Sequence, residues 1–240
     1  MSIDRSIDDV LRDAGTPERA EQERRYLKSE LTHYGVPVPA IRRAVKGALA
    51  EAPDLTRVEL VRAVAALWSQ PVHERRSAAI ELLVQRVRLL EDGDLALVER
   101  LLRDSKTWAY VDVLSAHVAG ALVERSPKLN ATLDRWATDE NFWLRRSAML
   151  ALLVPLRKGG GDFDRFGRYA DAMLDEKEFF IRKAIGWVLR EVAKKRPALV
   201  AAWMLPRAKR ASGLTFREAT RALPDAQRAK LERARDAKSR

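Results

Sequence analysis

The chain has 240 residues, 47% of them hydrophobic, with 45 Lys/Arg against 34 Asp/Glu and a formal net charge of +11. That length and apolar content specify a folded chain with a sizeable core, and the charge favours a polyanionic partner, nucleic acid before an anionic membrane surface. Cysteine is absent from the sequence, which excludes disulfides, thiol nucleophiles and thiolate metal sites.

The N-terminal stretch MSIDRSIDDVLRDAG is charged and lacks the apolar segment of a secretory signal, and its acids argue against a transit peptide. No apolar run approaches a membrane span, so a cytoplasmic protein with no membrane partner is expected. Downstream, nearly everything reads as helix: Ala, Leu, Arg and Glu dominate and strand-like alternation is scarce. Breaks are predicted where Pro, Gly, Asp and Asn cluster, among them Gly15-Thr16-Pro17, Gly35 to Pro39, Gln70-Pro71, Thr138 to Asn141, Lys158 to Asp162, Arg196-Pro197 and Ser212-Gly213.

The helices repeat. Ala78, Val113, Ala148 and Ala184 fall in one register at spacings of 35, 35 and 36 residues, and His73, Trp108, Trp143 and Phe179 align with them. This period predicts an all-α fold, an α-solenoid of HEAT-like helical repeats with a concave basic face, as one domain over residues 1–240. Basic pairs recur near the start of each repeat's second helix: Arg42-Arg43, Arg75-Arg76, Arg145-Arg146 and Arg182-Lys183. The copy KTWAYVDVL carries Tyr110-Val111-Asp112 instead. If the basic pairs line a phosphate-binding groove, Asp112 sets a lone carboxylate in it, on the same side of its helix as Trp108 at i and i+4. Helix capping or pairing with a neighbouring Arg is the alternative role for that acid.

Residues 177–197, KEFFIRKAIGWVLREVAKKRP, predict an amphipathic helix. Ile181, Ala184, Ile185, Val188 and Val192 form its apolar stripe, and Lys183, Trp187, Arg190 and Lys194 its opposite face. Three cations around an indole suit phosphate and sugar, whereas a core tryptophan flanked by solvated lysines is the plainer alternative. The Gly159-Gly160-Gly161 linker has no phosphate-loop signature and reads as a connector. From Pro206 to Arg240 there are eleven Lys/Arg and four Asp/Glu, and residues 224–240 read as a basic tail, either a short charged helix or a frayed end.

No nucleophilic triad or dinucleotide fingerprint is present, and His33, His73 and His117 lack ligand spacing, so neither a metal nor a cofactor is expected. One carboxylate, two indoles and basic stripes remain, a set suited to stabilising a developing sugar cation beside a phosphate backbone. The segments RRYLKSELTHYGVPVPAIRR, KTWAYVD, NFWLRRSAML and KEFFIRKAIGWVLREVAKKRP are similar to signatures of the AlkD-like DNA alkylation repair family, and the match runs over roughly residues 20–200. That resemblance implies a HEAT-like repeat DNA glycosylase releasing cationic N3- and N7-alkylated purines from double-stranded DNA without base flipping.

It further implies that Trp108 and Trp187 contact the sugar at the lesion and that Asp112 stabilises the oxocarbenium and positions water. Arg146 would hold the backbone near the lesion, Tyr26 and Arg42 would face DNA, and Phe179 and Phe180 would mostly pack. The chain departs from the family at Ala109-Tyr110, where a polar pair is more usual, and this bears on lesion choice. A monomer without lyase activity is expected. A non-catalytic nucleic-acid-binding scaffold is the alternative, and a scaffold for an acidic protein partner a third.

Overall fold

The computed structural model describes residues 2–237; positions 238–240 of the predicted basic tail lie outside the described residues. Among the described residues there are sixteen α-helices and no strand, as the all-α reading requires. No helix is long and apolar enough to cross a membrane. The chain divides into two compact units, one up to Leu114 and one from Ser115 onward.

The first unit holds α1 (Ile3–Ala14), α2 (Pro17–Leu27), α3 (Val38–Ala50), α4 (Arg57–Trp68), α5 (His73–Gln85), α6 (Leu95–Asp104) and α7 (Trp108–Val113). Its helices start where the sequence supplies caps. Thr16 accepts from Arg19 N with Pro17 at the first helical position, and Thr56 and Glu59 form a reciprocal capping box. Helix α4 packs on α5, and α1 packs on α3 and α4, around Ile7, Leu11, Val45, Leu60, Val64 and Leu82. Between α2 and α3 the chain turns at Gly35, whose φ of 84° favours glycine; an added Cβ there would also stand 2.1 Å from the Thr16 carbonyl. The fully buried Glu74 anchors this loop by accepting from the backbone N–H groups of Tyr34 (2.9 Å), Gly35 (2.7 Å) and Val36 (3.1 Å).

The second unit holds α8 (Gly120–Arg125), α9 (Asn130–Trp136), α10 (Phe142–Leu150), α11 (Leu153–Arg157) and α12 (Phe163–Ala172). It continues with α13 (Phe179–Ala193), α14 (Pro197–Met204), α15 (Gly213–Thr220) and α16 (Asp225–Asp236). The predicted apolar stripe of α13 is buried in full, from Ile181 through Val192. Helix α13 packs on α10 and most extensively on α15. Gly186 permits the α15 contact: a Cβ there would meet Glu218 Cβ at 2.5 Å and the Thr215 carbonyl at 3.0 Å.

The repeat register survives as helix starts. His73 opens α5, Trp108 opens α7, Trp143 is the second residue of α10 and Phe179 opens α13. Thr107, Asn141 and Glu178 cap the last three with their side chains.

Several cations of the basic pairs have partners within the protein. Arg75 donates to Asp8 (2.5 Å), Arg76 pairs with Asp104 (3.2 Å), Arg145 pairs with Glu176 (2.8 Å) and Arg182 donates to the Glu176 carbonyl (2.7 Å). Arg76 and Arg145 reach acids about one repeat further along the chain, Arg75 reaches back to α1, and Arg182 holds the turn just before its own helix. Arg42 and Arg43 are exposed, and the Arg42 contact with Glu81 is looser, at 3.5 Å.

Candidate nucleic-acid interface

In the first unit the expected residues gather at the start of α7. The Thr107 cap fixes the entry angle of Trp108, which stands half-buried. Tyr26 of α2, 72% exposed, meets the indole edge-on with ring centroids 6.1 Å apart. An exposed aromatic of this size standing on a second one is surface open to a ligand. Asp112, one turn beyond Trp108, is also half-buried.

A cavity of about 220 Å³ lies beside Trp108, lined among others by Tyr26, Arg42, His73, Glu81 and Tyr110. Trp108, Ala109, Tyr110 and Val113 form its α7 wall, and Asp112 lies outside it. Tyr110, the bulky departure noted in the sequence, is buried under Trp68 and hydrogen-bonded to His73, so its hydroxyl holds the floor.

The second unit places Lys183, Trp187, Arg190 and Lys194 on the face of α13 opposite its buried stripe, with Trp187 half-buried. Its cations are engaged. Lys183 Nζ lies 2.6 Å from Glu218 Oε1, Arg190 binds the other oxygen of the same carboxylate, and Lys194 pairs with Glu191 at 2.6 Å. Burial works to raise the Glu218 carboxyl, but the Lys183 hydrogen bond and the Arg190 charge outweigh it and hold it below the usual carboxylate range. Arg146 is 2% exposed and donates to the Phe180 carbonyl, with its guanidinium 5.8 Å from the Phe180 ring centroid. Phe180 packs among Phe142 and Trp143, whereas Phe179, expected to pack, is 55% exposed.

One cluster has no signal in the sequence spacing. An isolated bridge joins Thr32 to the α5 start, with Thr32 N donating to the Pro71 carbonyl and His73 N to the Thr32 carbonyl, each at 2.9 Å. This pairing stacks His33 on His73, centroids 4.5 Å apart, and Glu23 reaches the same spot from α2. Burial pushes the Glu23 carboxyl up and both imidazoles down, His73 to about 4, so both rings are neutral near pH 7.

The fold and these surfaces define a helical-repeat protein with aromatic and cationic side chains presented at helix starts. The family model of the DNA alkylation repair enzymes matches residues 7–223, and the chain belongs to that family.

Among solved structures it is similar to a predicted DNA alkylation repair enzyme from Enterococcus faecalis, with a TM-score of 0.79 and 26% identity over 88% of this chain and 97% of that one. It shares its fold with smu.31 from Streptococcus mutans UA159, with a TM-score of 0.59 and 17% identity over 78% of this chain and 98% of that one. A comparison with curated proteins returns no match.

Proposed function

We propose that this protein is a monofunctional DNA glycosylase that hydrolyses the N-glycosidic bond of cationic N3- and N7-alkylated purines in duplex DNA, leaving the nucleotide unflipped. The observation that supports it most is the pair Trp108 and Asp112. An indole and a carboxylate stand one turn apart and half-open, beside the exposed Tyr26, in a chain whose family repairs alkylated DNA.

A purine that already carries positive charge leaves as a neutral base, so no strong general acid is needed. The C1′–N bond breaks with its electron pair passing to the base. Asp112 stabilises the developing sugar cation and orients a water whose oxygen attacks C1′, and the released proton passes to the carboxylate or to solvent. Trp108 in the first unit and Trp187 in the second are each a flat apolar surface suited to a sugar. Tyr26, Arg42, Lys183, Arg190 and Lys194 bind the DNA backbone, and the buried Arg146 is a positioning residue acting through Phe180. Lys183 and Lys194 are both held by carboxylates, which supports the expectation of no Schiff-base lyase step.

Asp112→Asn tests the reading. Release of 7-methylguanine from a methylated duplex falls by about 100-fold or more while duplex binding is kept. Excision at the normal rate in that variant overturns the assigned mechanism. The second reading, a non-catalytic nucleic-acid-binding scaffold, draws on the engagement of Lys183 and Arg190 by Glu218, a structural use of two cations. Duplex binding by the wild-type chain with no base release over long incubation selects it.

A further inference from the structure

We propose that Glu23, His33 and His73 form a binding site for one divalent first-row transition metal ion of the zinc type, set between α2, the loop after it and the start of α5. One ligand atom from each lies within 4.8 Å of the other two. Two imidazole nitrogens and a carboxylate oxygen are the donor set that zinc takes at sites keeping a further position open.

Hydrogen bonding supports the assignment. Both ring nitrogens of His33 and Oε2 of Glu23 are buried and without a hydrogen-bond partner. Buried polar atoms are ordinarily satisfied, so orphaned donor atoms on two neighbouring side chains are unusual. His73 is differently placed. The Tyr110 hydroxyl lies 2.7 Å from His73 Nδ1 and 3.2 Å from the His73 carbonyl. With Nδ1 held against Tyr110, Nε2, whose hydrogen-bond partner is Ser77 Oγ at a long 3.5 Å, is the nitrogen offered to a metal ion. A metal-ligating histidine usually has such a partner on its other nitrogen.

The rings now lie parallel, with an interplanar angle of 7°. Rotation of the His33 ring turns a lone pair toward the common centre without breaking a hydrogen bond. Glu23 and His73 also line the Trp108 cavity, so the open position of the ion faces that cavity and takes water. Bound metal would tie α2, and with it Tyr26, to α5. The proposal is independent of base excision.

The test uses the full, untagged chain titrated with Zn²⁺ by calorimetry and with Co²⁺ by visible absorption. One ion binds with a Kd of about 1 μM or tighter, Co²⁺ gives the absorption of a four- or five-coordinate site, saturating Zn²⁺ raises the Tm by several degrees, and Mg²⁺ does none of this. His33→Gln and Glu23→Gln each weaken binding by about 10-fold or more, judged on variants with native circular dichroism. His117→Asn, outside the cluster, leaves binding unchanged. Failure of the wild-type chain to bind one Zn²⁺ saturably overturns the proposal, whatever the variants do. So does undiminished binding by both His33→Gln and Glu23→Gln.

Discussion

Lys183 and Arg190, seven residues apart on one face of α13, are joined through a single carboxylate, Glu218, which takes Lys183 on one oxygen at 2.6 Å and Arg190 on the other. Two cations that the sequence offers to DNA are thereby held to α15. Glu218→Gln removes that competition. Its duplex affinity rises and the slope of log affinity against log salt steepens by about 1 for each additional phosphate neutralised. Gel-shift titrations at several salt concentrations read both.

Acid stability depends on the same carboxylate. Its pKa is held below the unfolded value, so its contribution is complete above the ordinary carboxylate pKa of about 4.3. That contribution is lost as pH falls through the depressed folded value. The wild type therefore loses more stability than Glu218→Gln between pH 5 and the acid limit, and chemical denaturation across that range measures it.

Gly186→Ala places a methyl group where Glu218 Cβ stands at 2.5 Å. Helix α15 must move, at a cost of about 1–3 kcal/mol. The displacement also loosens the Lys183 and Arg190 contacts. Urea denaturation gives the first effect and the salt slope of DNA binding the second.

Glu74→Gln replaces a buried carboxylate that accepts three backbone N–H groups. An amide offers one acceptor oxygen and sets N–H groups against N–H donors. Stability falls by about 2–4 kcal/mol, read from thermal or denaturant unfolding.

Trp108→Ala and Trp187→Ala each lower excision. If both indoles serve one lesion sugar, the double variant loses less than the sum of the two in ΔΔG‡, with a coupling of about 0.5–3 kcal/mol. Additive losses in single-turnover excision would assign the two indoles to separate tasks.

Much of the fold was legible in the chain. The 35-residue register located the starts of α5, α7, α10 and α13, and at the last three a capping side chain just before an aromatic residue is a local signal. The α13 stripe was readable for the same reason, since helical period is local. The partners of the basic pairs were not legible. Arg75 meets an acid 67 residues away and Arg145 one 31 residues away, and spacing alone does not say which acids stand opposite. Phe179 and Phe180 are neighbours of one type, yet one is exposed and the other packed.

By itself, the sequence determined the helical class, the repeat period and the residues worth suspecting at 108, 112 and 187, because caps, breakers and apolar periodicity act within one helix. The tertiary structure alone decided which cations are engaged and which are exposed. It also brought Glu23, His33 and His73 together, through a backbone bridge at Thr32 that leaves no trace in their spacing. Charge neutralisation and ligand convergence depend on distance in space, and only packing between helices sets that distance.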